Sequence, residues 1–266
     1  MSVDLRHSRV LLTGATGGIG QAIARALHGR GASLVVTGRR RELLDELASE
    51  LGDRVEPIAA DLANRADVDR LAAVTEIDVL VANAALPAAG RLLTFSGEEL
   101  DRALEVNLRS PMRLALALLP GMVERGTGHL VFVSSIAGKV GSAGSSVYSA
   151  TKFGLRGFGY SLSEELRGSG VGATTVFPGF IREAGMFAES GAKLPRFAGT
   201  RTPEQVASAV LEGIDKNRAE IDVAPLSFSS GAKLFGLSPS VMSRISRALG
   251  ADGVSDQLEV GQRDKR

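Results

Sequence analysis

Short apolar runs and stretches of helical period alternate along this chain from residue 9 to residue 223. The runs lie at 9–12, 33–37, 55–59, 78–82, 129–134, 172–177 and 220–223. Most are rich in Val, Leu and Ile, as strands buried on both faces are. Between them lie helical stretches at 18–28, 41–51, 65–74, 97–124, 148–167 and 203–217, long enough to carry the chain from one parallel strand to the next. The pattern predicts an α/β fold: a single doubly wound parallel sheet of about seven strands with helices on both faces. Two stretches break the rhythm. Residues 185–202, with Gly191, Pro195 and Gly199, read as a mobile segment over the C-terminal edge of the sheet. Residues 225–266 read as an extension beyond a domain spanning 1–224, with a modestly amphipathic helix at 234–249 and a polar, frayed tail at 250–266.

Composition narrows what such a fold is for. Hydrophobic residues make up 44% of the chain, charged residues 23%, and the net charge is +1, so no global field draws it to nucleic acid or anionic lipid. The chain has no cysteine, which excludes disulfides, thiolate metal sites and a cysteine nucleophile; no metal is expected. No uncharged stretch reaches the roughly 20 residues of a membrane-spanning helix, and the start lacks a signal segment, so a cytoplasmic protein is expected. A membrane-surface role through Lys233, Arg244 and Arg247 is an alternative with sparse charges behind it.

The segment from Leu11 to Gly20 follows the first strand and opens the first helix, with glycines in the spacing Thr13-Gly14-x-x-x-Gly18-x-Gly20. Glycine permits the sharp turn and the close approach of a phosphate, while the helix N-terminus offers N–H donors and positive potential. A tight strand-to-helix turn with no ligand would also use glycine. At the end of the second strand stands Val36-Thr-Gly-Arg-Arg40, with no carboxylate for a ribose 2′-hydroxyl. Arg39 or Arg40 suits a 2′-phosphate, which favours NADP(H) over NAD(H); a solvated arginine pair at a helix start is the alternative.

A second constellation carries chemistry. Ser134-Ser135 stands at the end of the fifth run, and Tyr148 and Lys152 follow a Gly/Ser-rich loop. Four residues apart on a helix, Tyr148 and Lys152 share a face, so an ammonium can sit near a phenol and favour its ionised form. The chain has only two tyrosines, the other being Tyr160. Tyr148 is therefore the candidate acid/base, with the Ser135 hydroxyl polarising a carbonyl beside it.

With these residues the sequence resembles the short-chain dehydrogenase/reductase family from about residue 10 to residue 223. The resemblance rests on Thr13-Gly-x-x-x-Gly-x-Gly20, Asp61-Leu62, Ala82-Asn-Ala-Ala85, Asn107, Ser135, Tyr148-x-x-x-Lys152 and Pro178-Gly179. It implies a Rossmann-like fold and an oxidoreductase that moves a hydride between nicotinamide and a carbonyl or alcohol carbon. It implies that Tyr148 transfers the proton, Ser135 orients the substrate, Lys152 lowers the phenol's pKa and holds the nicotinamide ribose, and Asn107 supports a relay water. The cofactor would be held by Gly14, Thr16, Gly18, Ile19, Gly20, Arg39, Arg40, Asp61, Leu62, Asn83, Ala84, Tyr148, Lys152, Pro178, Gly179 and Ile181. Asp61 and Leu62 would meet the adenine. Two departures stand out: Ala82 and Ala85 replace Asn and Gly, adding methyl groups near the cofactor, and Phe180 to Gly185 lacks the usual threonine, for which the backbone of Ile181 could substitute. Apolar walls at 86–93, 137–147 and around Met186, Phe187 and Leu194 fit a small hydrophobic substrate. A homodimer or homotetramer through the helices at 97–124 and 148–167 is expected, with no nucleic-acid partner. A non-catalytic NADP(H)-binding regulator is the rival reading.

Overall fold

The computed structural model describes residues 3–191, 199–225, 257, 258 and 260–262. Seven strands, β1 (Arg9–Thr13), β2 (Ser33–Gly38), β3 (Val55–Ala59), β4 (Val79–Ala82), β5 (Gly128–Val133), β6 (Val171–Pro178) and β7 (Glu220–Val223), form one parallel sheet in the order β3-β2-β1-β4-β5-β6-β7. The helices are α1 (Gly18–Gly29), α2 (Arg41–Leu51), α3 (Arg65–Ala72), α4 (Gly97–Leu104), α5 (Ser110–Arg125), α6 (Ser146–Glu165), α7 (Gly185–Ser190) and α8 (Pro203–Lys216). The doubly wound, Rossmann-like fold expected from the alternation of apolar runs and helical stretches is the fold observed.

Residue alternation within the strands explains why both faces are covered. Val10 and Leu12 point to one face and Leu11 to the other; Val79 and Val81 oppose Leu80, and Val131 and Val133 oppose Leu130 and Phe132. On the first face these side chains meet Ile23 and Leu27 of α1, Leu44 and Leu47 of α2, and Val206, Val210 and Ile214 of α8. On the second they meet Val68 and Leu71 of α3, Leu114, Leu118 and Met122 of α5, and Leu155 and Leu162 of α6. Each such side chain contributes about 1.5–3 kcal/mol when fully buried, so neither layer of helices is dispensable.

One long predicted helix is divided. In place of 97–124 the chain forms α4, then a π turn at Glu105–Arg109, then α5. The wider turn carries Asn107 into the interior, where its side chain accepts from the Leu86 amide at 2.6 Å and donates to the Leu86 carbonyl at 2.9 Å. Apolar periodicity cannot register such a turn, because adding one residue leaves the buried face almost continuous. Part of the predicted mobile segment is helical, as α7, before Gly191 turns the chain at φ +68°. Pro195 and Leu194 lie outside the described residues, as does the predicted helix at 234–249. Of the tail at 250–266, residues 257, 258 and 260–262 are described. They are helical, and Gln262 is buried, its amide nitrogen donating to the Met186 carbonyl at 3.0 Å. Among the described residues no helix is long and apolar enough to cross a membrane.

Candidate active site

Strands β1 and β4 are neighbours, yet the chain leaves β1 for β2 and returns to β4 only after β3. Their outgoing connections diverge and open a crevice at the C-terminal rim of the sheet, the place where doubly wound folds bind ligands. Asn83, just past β4, ties the two strand ends together. Its amide nitrogen donates to the carbonyls of Thr13 at 3.1 Å and Gly14 at 3.2 Å, while the Thr13 hydroxyl accepts from the amides of Asn83 and Ala84 at 3.1 and 3.0 Å.

The glycine turn is tight for steric reasons. Gly14 has φ +69°, and a Cβ there would stand 2.7 Å from the Ala84 Cα. A Cβ on Gly20 would run into the Gly14 carbonyl oxygen, which is backbone and cannot step aside. Gly20→Ala is therefore expected to open the turn, lower the melting temperature and weaken dinucleotide binding about 10- to 100-fold, as 1–3 kcal/mol of overpacking implies. Titration of the variant by cofactor fluorescence checks this, and unchanged affinity would show that the turn does not touch the ligand.

A cavity of about 560 Å³ opens beside the turn. Every cofactor residue predicted from Gly14 through Ala84 lines it, so the glycines, the arginine pair after β2, Asp61-Leu62 and Asn83 converge on one space. Arg40 donates to the Thr16 carbonyl at 3.2 Å, whereas Arg39 has no hydrogen-bond or ion-pair partner among the described residues. Of the two added methyl groups, Ala85 lines the cavity, while Ala82 is buried in the core under it. Pro178, Gly179 and Ile181 are not among the walls, nor are Ser135, Tyr148 and Lys152. Gly179 is held by its amide to the Val223 carbonyl at 2.9 Å; Ile181 is buried and faces Arg201 in an isolated bridge that uses the Phe180 carbonyl and the Arg182 amide.

The predicted chemical group assembles at the same rim of the sheet. Ser135 follows β5 and starts a 3₁₀ turn, Ile136–Gly138, by accepting from the Ala137 amide at 3.2 Å. Its side chain lies beside the Tyr148 phenol, whose ionised form it favours, and its hydroxyl donates to the Pro178 carbonyl at 3.5 Å. One helical turn along α6, Lys152 places its Nζ 5.6 Å from the centre of the Tyr148 ring. That ammonium donates to the Val133 carbonyl at 3.0 Å, and Ser134 donates to the Lys152 carbonyl at 3.0 Å, which fixes α6 against the end of β5. Asn107 reaches the same region through Leu86, a cavity wall.

Comparison with known proteins decides the family. A model of the short chain dehydrogenases matches residues 8–195. The chain belongs to the short chain dehydrogenase family. It is 35% identical over 259 residues to the ketoacyl reductase HetN of Nostoc, covering 92% of this chain and 90% of that protein. It is 40% identical over 186 residues to nodulation protein G of a Rhizobium species, covering 68% of this chain and 76% of that one. Among solved structures, a short-chain dehydrogenase from Sphingobium yanoikuyae in complex with NADPH aligns with a TM-score of 0.77 at 30% identity, covering 89% of this chain and 95% of that one.

Within this short chain dehydrogenase the electrostatics of the rim differ from what the resemblance implied. Burial pushes the Tyr148 phenol up to about 12, and the bond from Ser135 only partly offsets it. A lowering by Lys152 is not the governing effect. Its ammonium is itself desolvated, pushed down to about 8, and is directed at the Val133 carbonyl. At neutral pH the phenol is therefore protonated and the lysine largely charged.

Leu86, Pro87 and Met186, from segments expected to wall the substrate pocket, line this cavity, which also has walls the sequence did not disclose: Arg102 of α4 and Gln262. Arg102 stands five residues before Asn107 on a helix whose apolar period drew attention only to its buried face. Gln262 is brought in from the far end of the chain by its bond to Met186, a contact that no local pattern announces.

Proposed function

We propose that this short chain dehydrogenase is an NADP(H)-dependent oxidoreductase acting on a carbonyl or secondary alcohol of a small, hydrophobic substrate. The observation that carries the reading is the placement of the Ser135 side chain beside the Tyr148 phenol, with the Lys152 ammonium 5.6 Å from the phenol ring, at the sheet rim that also bears the glycine cavity. The fit of a dinucleotide rests on the turn that Gly14 and Gly20 keep tight beside the cavity, and on a cavity wall that carries Arg39, an arginine without a partner among the described residues.

When bound, NADPH supplies a hydride to the substrate carbon. The protein's residues do the rest. Ser135 donates to the substrate oxygen and holds it at Tyr148, whose hydroxyl proton passes to that oxygen as negative charge develops. A phenol that is protonated throughout the neutral range suits a donor in the reducing direction. Lys152 stabilises the tyrosinate left behind and reaches for the nicotinamide ribose. Asn107 keeps one amide hydrogen and one lone pair beyond its two bonds to Leu86, which is what anchoring a relay water requires. Pro178, Gly179 and the backbone of Ile181 would border the nicotinamide, while Gly14 to Gly20 would hold the pyrophosphate and Asp61 and Leu62 the adenine.

Arg39 supports the preference for NADP(H). With Arg40 engaged by the glycine turn, Arg39 is the cation left to take a 2′-phosphate. Arg39→Ala should lower the ratio of kcat/KM for NADPH over NADH about tenfold, the loss of one charge-assisted contact; an unchanged ratio would remove Arg39 from cofactor selection. The function itself is tested by following reduced-cofactor absorbance across ketones, aldehydes and alcohols, beginning with 3-ketoacyl compounds because a relative is named a ketoacyl reductase. Absence of turnover on the whole panel, with cofactor bound, would favour a regulatory protein. The same reading carries a cytoplasmic homodimer or homotetramer, supported by apolar side chains exposed on α5 (Met112, Leu116, Val123) and α6 (Phe153, Tyr160).

A further inference from the structure

The sheet ends with β7, yet residues from far beyond it return to the cavity. Gln262 is 5% exposed and is a cavity wall, as are Gly185 and Met186 of α7. Its amide nitrogen donates to the Met186 carbonyl at 3.0 Å, while its side-chain oxygen has no partner among the described residues. The preceding residue packs as closely on the other end of α7. A Cβ on Gly261 would run into the Ser190 carbonyl oxygen and stand 2.8 Å from the Ser190 Cα. At its start α7 meets the glycine turn: a Cβ on Gly18 would collide with the Ala184 methyl group, and one on Gly185 would stand 3.2 Å from Cδ1 of Ile19. A helix of six residues does not hold its shape alone, so these contacts keep α7 in place.

These contacts form a continuous path from the chain's last described residues, through α7, to the turn beside the cavity. The direction of the bond is fixed, because a backbone carbonyl can only accept and Gln262 must therefore donate. We propose that Gln262 is a positioning residue for the cofactor: by donating to Met186, with Gly261 seated on Ser190, it holds α7 against the glycine turn and so slows release of the dinucleotide. The inference rests on the cofactor reading above and adds to it how the bound dinucleotide is retained, giving the segment beyond the sheet a part in binding. A contact that served stability alone would favour the fold without regard to ligand. A contact acting through α7 prolongs the stay of ligands long enough to reach that helix and leaves shorter ones unaffected.

The test needs no substrate. Release of NADPH is followed by stopped-flow fluorescence, with excess NADP⁺ as the chase, for the full chain as wild type, Gln262→Met and Gly261→Ala. Methionine keeps the length of the side chain and removes its donor without adding charge, while the alanine methyl lifts the segment from Ser190. Both variants are expected to release NADPH about tenfold faster, the scale of one buried hydrogen bond, with association rates within about twofold of wild type. Affinity for adenosine 2′,5′-bisphosphate, which lacks the nicotinamide half, should stay within about twofold by calorimetry. Melting temperatures of the unliganded proteins should fall by no more than about 4 °C, since neither residue belongs to the two cores that cover the sheet. A wild-type release rate in either folded variant, or an equal weakening of the bisphosphate, would overturn the inference while leaving the cofactor reading intact. Failure of the wild type to bind NADPH would instead overturn the cofactor reading.

Discussion

Tyr148→Phe should reduce kcat by about 10²–10⁴-fold, the range that a positioned general acid contributes, while NADPH affinity stays within about twofold of wild type. The substitution removes one oxygen and leaves the ring packed against Ala88, Ala103 and Val147, so the fold has little reason to respond. Stopped-flow turnover together with a fluorescence titration separates the two quantities, and a variant retaining most of its turnover would take the proton-transfer role away from Tyr148. The pH dependence follows from the same group. With the phenol pushed up to about 12, the protonated donor is present across the neutral range, so carbonyl reduction should not be limited by its ionisation there. Alcohol oxidation needs the phenolate and should speed up as pH rises from 7 toward 10. Ser135→Ala, which removes the bond that favours the phenolate, should leave the oxidation profile displaced to still higher pH.

A second large effect lies away from the site. His129, second in the buried pairing of β5 with β6, lies opposite Gly172, where a Cβ would come 2.5 Å from the ring nitrogen Nδ1. Its Nε2 meets the Thr174 hydroxyl at 2.8 Å, and burial lowers its pKa to about 4. A histidine whose folded pKa lies below its unfolded value of 6.5 takes up its proton more readily on unfolding. Its stabilising contribution is therefore complete above pH 6.5, declines as pH falls, and is lost by about pH 4. Across that window the native state should lose about 3 kcal/mol through this residue, at about 1.4 kcal/mol per unit. His129→Gln, which cannot titrate, should flatten the plot of unfolding free energy against pH between 6.5 and 4 relative to wild type, measured by urea denaturation. Parallel curves for the two proteins would mean that His129 is protonated in the native state or hydrated in it.

The fold and most of the site were legible before any coordinates. Apolar runs of strand length separated by helical crossovers admit one economical solution, because a strand with Val10 and Leu12 on one face and Leu11 on the other must be covered twice. Motif residues were readable for a related reason. Gly14 and Gly20 stand where no other residue fits, and the four-residue step from Tyr148 to Lys152 is a property of the helix itself. Local geometry constrains such positions, so it leaves a mark on the sequence.

What the coordinates alone decided depends on contacts between distant segments. The π turn that turns Asn107 inward needs the backbone of Leu86, 21 residues earlier, to receive its amide. That Arg40, and not Arg39, donates to the Thr16 carbonyl is likewise a contact that the sequence does not show. The upward push that burial gives the Tyr148 phenol is not visible in spacing, because spacing reports that a lysine is near but not how much water the fold removes from the phenol. Arg102 and Gln262 became cavity walls only when α4 and the chain's last described residues met the glycine turn and α7. The order of residues thus determined the sheet, its two covering layers and the chemistry carried at its rim. Tertiary packing determined which charges lie free and which are engaged, since desolvation and hydrogen-bond pairing are properties of a residue's surroundings.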